Sequence, residues 1–177
     1  METTLPSSAT RINSASSKVR GQSASTARIE QRGRDLYPLV DRIARGLGMD
    51  TSLIMALIEV ESGFDTQAIS PKGARGLMQL MPSTAAVYGL RDVRDLHNPE
   101  RNLDIGIRHL KSLLIGHGGQ WALALASYNA GRGAVAKSGQ RIPGYAETML
   151  YVPAVLAKAA HPVTQNQPMS VSLNIAD

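Results

Sequence analysis

Apolar positions fall into helical stripes along most of the chain. Leu36, Leu39, Val40, Ile43 and Leu47 recur at three- and four-residue spacing, and Gly46 and Gly48 mark where that helix stops. Asp50, Thr51 and Ser52 each offer a side-chain oxygen to cap a second helix running from about Leu53 to Ser62. The stretch from Gly63 to Gly76 contains Ser70-Pro71-Lys72-Gly73 and reads as a loop or short β-hairpin. Pro82-Ser83-Thr84 opens a short helix toward Tyr88. Asn98-Pro99-Glu100 opens a longer one, with Leu103, Ile107, Leu110 and Leu114 as its apolar stripe. Gln120 to Asn129 is apolar nearly all round, as a buried central helix should be. Tyr145, Met149, Val152 and Leu156 predict a last helix that Pro153 kinks or restarts. The pattern predicts a mainly α single domain over residues 35–160, with a leader at 1–34 and a loose tail at 161–177.

Composition alters this picture at the ends. The chain of 177 residues carries a formal net charge of +5. Residues 1–34 hold six basic groups against two acidic ones, so most of the excess sits in a Ser/Thr/Ala-rich leader that reads as a solvated, disordered tail. The remaining sequence shows no basic stripe interleaved with aromatics, which argues against nucleic acid as a partner. No apolar run approaches the roughly 18 residues of a transmembrane segment. The opening residues Met1-Glu2-Thr3-Thr4-Leu5-Pro6 have neither the basic nor the apolar region of a signal peptide. The absence of cysteine excludes disulfides, thiolate metal sites and thiol catalysis. His97, His109, His117 and His161 lack metal-site spacing and read as surface residues, so no metal is expected.

At about 100° per residue, Ile54, Leu57, Ile58 and Glu61 share one stripe of the second helix, while Glu59 points away. A carboxylate aligned with aliphatics is desolvated and its pKa raised, which suits a general acid. On spacing alone a frayed helix end reaching solvent is the stronger reading, because this helix is apolar almost all round and the stripe is poorly defined. The run that follows decides between them. Glu61-Ser62-Gly63-Phe64 precedes Ser70-Pro71-Lys72-Gly73-Ala74-Arg75-Gly76-Leu77-Met78-Gln79-Leu80-Met81-Pro82, then Ser127-Tyr128-Asn129-Ala130-Gly131, then Glu147-Thr148 and Tyr151-Val152. This ordered set resembles the catalytic domain of the soluble lytic transglycosylases, a branch of the lysozyme-like superfamily, over roughly residues 38–157.

The resemblance implies a lysozyme-like helical domain of the goose-type and lytic transglycosylase kind. It implies cleavage of the bond between N-acetylmuramic acid and N-acetylglucosamine in peptidoglycan, with Glu61 as the only catalytic carboxylate and no cofactor. It assigns substrate-side positions to Ser70, Met78, Gln79, Tyr128, Asn129, Glu147 and Tyr151, with Tyr151 restraining Glu61. Structural readings stand beside several of these: a turn serine at 70, a core methionine at 78, a helix-closing asparagine at 129. Asp65 receives no role, and Trp121 is read as core. Ser127 stands where alanine is more usual. Two rival functions remain open, a hydrolytic muramidase and a wall-binding module without chemistry. The implied site of action is the periplasm or cell wall, serving a secretion system, a conjugation apparatus or a phage virion, by an export route the sequence does not specify.

Overall fold

The computed structural model describes residues 9–161, with side chains from residue 23 onward. Its helices are α1 (Ala9–Gly46), α2 (Thr51–Ser62), α3 (Pro82–Val87), α4 (Pro99–Gly116), α5 (Trp121–Ala130), α6 (Arg132–Lys137) and α7 (Ala146–Ala160), with a 3-10 turn at Val93–His97. The mainly α expectation holds. Helix α2 packs between α1 and α7, while α5 packs on α4, α6 and α7.

Local chemistry sets the ends of α2. The Asp50 carboxylate accepts the Leu53 N–H at 3.0 Å, so Asp50 is the cap among the three candidates. Ile54, Leu57 and Ile58 are fully buried, as their stripe predicted. Gly63 then turns left-handed at φ +56° and its N–H closes on the Glu59 carbonyl. Phe64 repeats the left-handed turn at φ +61° and buries its ring. A Cβ at Gly33 would lie 3.0 Å from that ring, so α1 and the corner after α2 meet closely because residue 33 is glycine.

In α4, Asn98 caps the Arg101 N–H at 3.0 Å and Pro99 takes the first turn. Leu103, Ile107 and Leu110 are fully buried. Helix α7 runs unbroken through Pro153. The carbonyl deprived of its partner there belongs to Met149, a residue 53% exposed.

Several expectations need correction. Order does not begin at Asp35: the chain is helical from Ala9, Ile29 packs on the core, and Gly33 is buried. Ile29 and Gly33 extend the Leu36–Val40–Ile43 stripe backward, but one isoleucine and a glycine among polar residues gave too sparse a signal. The parts of the leader and tail readings that fall on residues 1–8 and 162–177 lie outside the described residues. The loop after α2 carries two isolated antiparallel bridges, Ile69 with Arg75 and Arg75 with Leu80, and no strand forms among the described residues. Helix α6 and the 3-10 turn were not anticipated, both being too short to show a period.

Three of the four histidines are half-buried and bonded, contrary to the surface reading. His97 meets the Thr66 carbonyl at 3.0 Å, and His117 bonds the buried Ser127 hydroxyl at 2.7 Å. His109 is wedged between Tyr88 and Tyr128, with ring centroids at 5.9 Å and 5.5 Å. The polar atom that Ser127 brings into α5 is therefore satisfied.

Candidate active site

Glu61 lies in the last turn of α2, one residue before the helix ends. Its Oε1 accepts the Tyr151 hydroxyl of α7 at 2.6 Å. Burial raises its pKa from 4.5 to about 7, the Tyr151 bond pulls it back, and the charge of Glu147 adds to the rise. The carboxyl is thus poised to hold or release a proton near neutrality. Tyr151 is 7% exposed, and its phenol is pushed well above the ordinary range by burial and by Glu61, so it stays protonated and donates.

The loop between α2 and α3 forms one wall. Ser70 donates its N–H to the Ala74 carbonyl at 2.9 Å, and its hydroxyl accepts the Ala74 N–H at 3.0 Å. Ser70 therefore ties the Pro71-Lys72-Gly73 turn that faces α7. Gln79 sits at φ +47°, a costly backbone for a residue with a side chain. Its amide NH2 donates to the carbonyls of Gly76 at 3.0 Å and Ala68 at 3.3 Å, so the side chain folds back on its own loop. Met78 does not reach the cleft: its side chain is fully buried against Gly106, where a Cβ would lie 2.4 Å from the sulfur. The methionine this loop exposes is Met81, at 38%.

The opposite wall comes from α5 and α7. The Tyr128 hydroxyl donates to the Met78 carbonyl at 2.8 Å, fixing the loop to α5. Burial and the Glu61 charge raise its pKa well above the ordinary value. Asn129 accepts the Thr148 hydroxyl at 2.7 Å and donates to Glu147 at 3.3 Å. Glu147 also pairs with Lys72 at 3.3 Å, joining the tip of the loop to the start of α7. Tyr151 bonds Glu61 directly, the charges of Glu147 and Glu61 and the Tyr128 phenol feel one another, and Asn129 joins through Glu147, while the Gln79 side chain folds back on its own loop and Ser70 shapes the adjacent turn.

Three supports escaped the sequence reading. The Ser62 hydroxyl donates to the Leu77 carbonyl at 2.8 Å, binding the helix that carries the acid to the loop. Thr148, 1% exposed, orients Asn129. Asn102 is fully buried on α4: it accepts the Met78 N–H at 2.8 Å and donates to the carbonyls of Leu96 at 2.9 Å and Arg75 at 3.0 Å. Its only sequence signal is position, since an amide next to Leu103 falls on the apolar face of α4. Among the described residues no group of three His, Asp or Glu side chains converges as metal ligands would. No helix there is long and apolar enough to cross a membrane.

The match to a family model decides the relationship: residues 38–148 fit the transglycosylase SLT domain, and this span holds the acid, the loop and both walls up to Thr148. The chain belongs to the transglycosylase SLT family. The membrane-bound lytic murein transglycosylase C of Haemophilus ducreyi is 36% identical to it over 125 residues, covering 62% of this chain and 34% of the relative. The protein of the same name from Actinobacillus pleuropneumoniae is 36% identical over 124 residues, again covering 62% of this chain and 34% of the relative. The chain thus spans about a third of the length of these SLT relatives. Among solved structures, an inactive mutant of the lytic transglycosylase Slt from Pseudomonas aeruginosa matches with a TM-score of 0.63 at 32% identity, over 69% of this chain and 23% of that one. The 70 kDa soluble lytic transglycosylase of Escherichia coli matches with a TM-score of 0.62 at 32% identity, over 70% of this chain and 23% of that one. The fold is that lysozyme-like SLT fold.

Proposed function

We propose that the chain is a lytic transglycosylase that cleaves the β-1,4 bond between N-acetylmuramic acid and N-acetylglucosamine in peptidoglycan, with Glu61 as acid and then base. The observation that carries this reading is one carboxyl, raised by burial to a pKa of about 7, held by Tyr151 and electrostatically coupled to Glu147. The relatives named for murein transglycosylase supply the substrate class.

Protonated Glu61 gives its proton to the glycosidic oxygen as the bond to C1 breaks. Retaining glycosidases usually place a nucleophilic carboxylate about 5 Å from the acid. Here the neighbouring carboxylates are engaged elsewhere. Asp65 lies past the helix end, accepts the Gln67 N–H at 3.0 Å and faces Arg32 at 3.9 Å, while Glu147 is tied to Lys72 and Asn129. The acetamido carbonyl of the sugar would therefore support the developing charge at C1. Glu61, now a carboxylate, takes the proton of the C6 hydroxyl as O6 closes onto C1. The product is a 1,6-anhydromuramoyl end, Glu61 is protonated again and no water is consumed. Gln79 Oε1, Tyr128, Asn129 and Glu147 hold the glycan by polar contacts.

The setting we propose is the periplasm or cell wall, in local wall opening for a secretion system, a conjugation apparatus or a phage. Recovery of a tagged chain with its envelope partners distinguishes these. The reaction itself is tested by mass spectrometry of sacculi digested with wild type and with Glu61→Gln. Anhydro ends present only with wild type are the expected result. Ends heavier by one water would make the protein a muramidase, and folded but silent wild type would make it a binding module.

A further inference from the structure

The turn Ser70-Pro71-Lys72-Gly73 is fixed in its backbone and exposes one charged side chain. Three hydrogen bonds close it. The Ser70 N–H meets the Ala74 carbonyl at 2.9 Å, the Ala74 N–H meets the Ser70 hydroxyl at 3.0 Å, and the Gly73 N–H meets the Ser70 carbonyl at 2.9 Å. Gly73 takes a φ of +88°, which a residue with a Cβ resists, and this lets the chain reverse just after Lys72. From the tip of this turn Lys72 Nζ reaches Glu147 Oε2 at 3.3 Å, a contact between residues 75 positions apart.

Glu147 is therefore held by both of its oxygens. Oε1 accepts the Asn129 amide at 3.3 Å, and Asn129 is itself oriented by the Thr148 hydroxyl at 2.7 Å. Oε2 faces Lys72. One oxygen is fixed from α5 and the other from the loop. This matters to the acid, because among the described residues Glu147 is the only charged side chain that shifts Glu61, and it does so by repulsion. Lys72 does not act on Glu61 directly, so any effect it has passes through Glu147. Repulsion between two anions weakens when a cation sits beside one of them. Asn129 holds Glu147 with or without the lysine, whereas Lys72 alone contributes a counter-charge.

We propose that Lys72 is a positioning residue for the cleavage reaction: from the loop tip it holds the second oxygen of Glu147 and supplies the counter-charge that limits repulsion between Glu147 and ionised Glu61. The proposal rests on the reading of Glu61 as acid and then base. That mechanism makes Glu61 an anion midway, after it has protonated the leaving oxygen and before it takes the C6 hydroxyl proton. At that moment two carboxylates face each other, and Lys72 sets how strongly they do. The Lys72 side chain is 79% exposed and that of Glu147 66%, so the pair is screened by water and adds little to folding. Substituting the lysine therefore leaves the fold intact and isolates its effect on the acid.

The test reads the acid itself, by NMR titration of isotopically labelled glutamate side chains in the full chain. Wild type, Lys72→Gln, Glu147→Gln and the double variant are compared. Lys72→Gln should raise the Glu61 midpoint by about half a pH unit, the size expected of a solvent-screened charge. In the Glu147→Gln background the same substitution should leave the midpoint unmoved, and Lys72→Arg in the wild-type background should restore it. The alkaline limb of the pH–rate profile on sacculi should follow the same pattern across the variants. An unchanged midpoint in Lys72→Gln would overturn the proposal, as would an equal shift with and without Glu147. A limb that stays in place while the midpoint moves would remove Lys72 from the reaction. The titration needs no substrate, so the two readings fail separately. Midpoints that move as described in a chain that releases no glycan ends would sink the glycan reading and leave the Lys72–Glu147 arrangement standing.

Discussion

At the residue scale the chemistry turns on the balance around Glu61, and each neighbour moves it in a known direction. Tyr151 stabilises the carboxylate, so Tyr151→Phe should raise the pKa of the acid further. The alkaline limb of the pH–rate profile, expected near pH 7 in wild type, should then shift upward while the maximal rate falls through loss of positioning. Glu147 acts oppositely: Glu147→Gln removes a like charge and should move the limb downward. The same shift has a consequence for stability. A carboxyl whose pKa rises from 4.5 to about 7 on folding favours the folded state below 4.5 and loses that contribution as pH climbs to 7. Glu61→Gln should therefore stabilise the fold relative to wild type at pH 8 more than at pH 4, by at most about 3 kcal/mol. Denaturant titrations at the two pH values measure it, and an equal difference at both would refute the desolvation account.

At the scale of elements, the loop between α2 and α3 has almost no regular structure of its own and is held from outside. From inside α4, Asn102 satisfies one N–H and one carbonyl of that loop and a carbonyl of the 3-10 turn at Val93–His97. Asn102→Leu keeps a similar volume but orphans all three, and should cost about 2–4 kcal/mol with a larger loss of activity than of helicity. Circular dichroism beside a digest assay separates the two. Gly76→Ala should be at least as damaging, because its Cβ would fall 2.2 Å from the Leu96 carbonyl at a φ of +73°. These dependencies explain what the sequence disclosed. Ile54, Leu57 and Ile58 announced α2 by spacing, Asp50 and Asn98 announced helix starts by side-chain chemistry, and Glu61 was singled out by the motif run that follows it rather than by its place on the stripe. Asn102, Ser62 and Thr148 were silent because the partners that matter to the site, Met78 and Arg75, Leu77 and Asn129, lie 15 to 27 residues away, where no local period points. Met78 was placed in the cleft by its motif. The glycine at 106 that admits its sulfur into the core belongs to a different helix.

At the scale of the molecule, α1 and α7 clasp α2 from two sides, so the acid inherits its rigidity from elements far away in sequence. The clasp on the α1 side begins before residue 35. Removing residues 1–34 strips Ile29 from Gly63, deprives Phe64 of its neighbour Gly33 and deletes the Arg32–Asp65 pair. The loss should be about 1–3 kcal/mol, mostly from Ile29 and the exposed ring, since the 3.9 Å pair contributes little. Thermal melts of the shortened and full chains would show it, and an unchanged midpoint would mean that the α1 contacts before Asp35 carry no weight. The direction in which α2 runs matters as well. Its carboxyl-terminal end, not its amino-terminal end, is the one at the cleft, and Glu61 sits in its last turn. Aligned peptide groups place about half a negative charge at that end. The backbone itself thus disfavours an anion on Glu61 and, in the proposed reaction, would attract the cationic carbon that forms as the glycosidic bond opens. Under the proposed mechanism, with Glu61 as the single acid, the fold carries a second source of negative potential that no side-chain substitution removes.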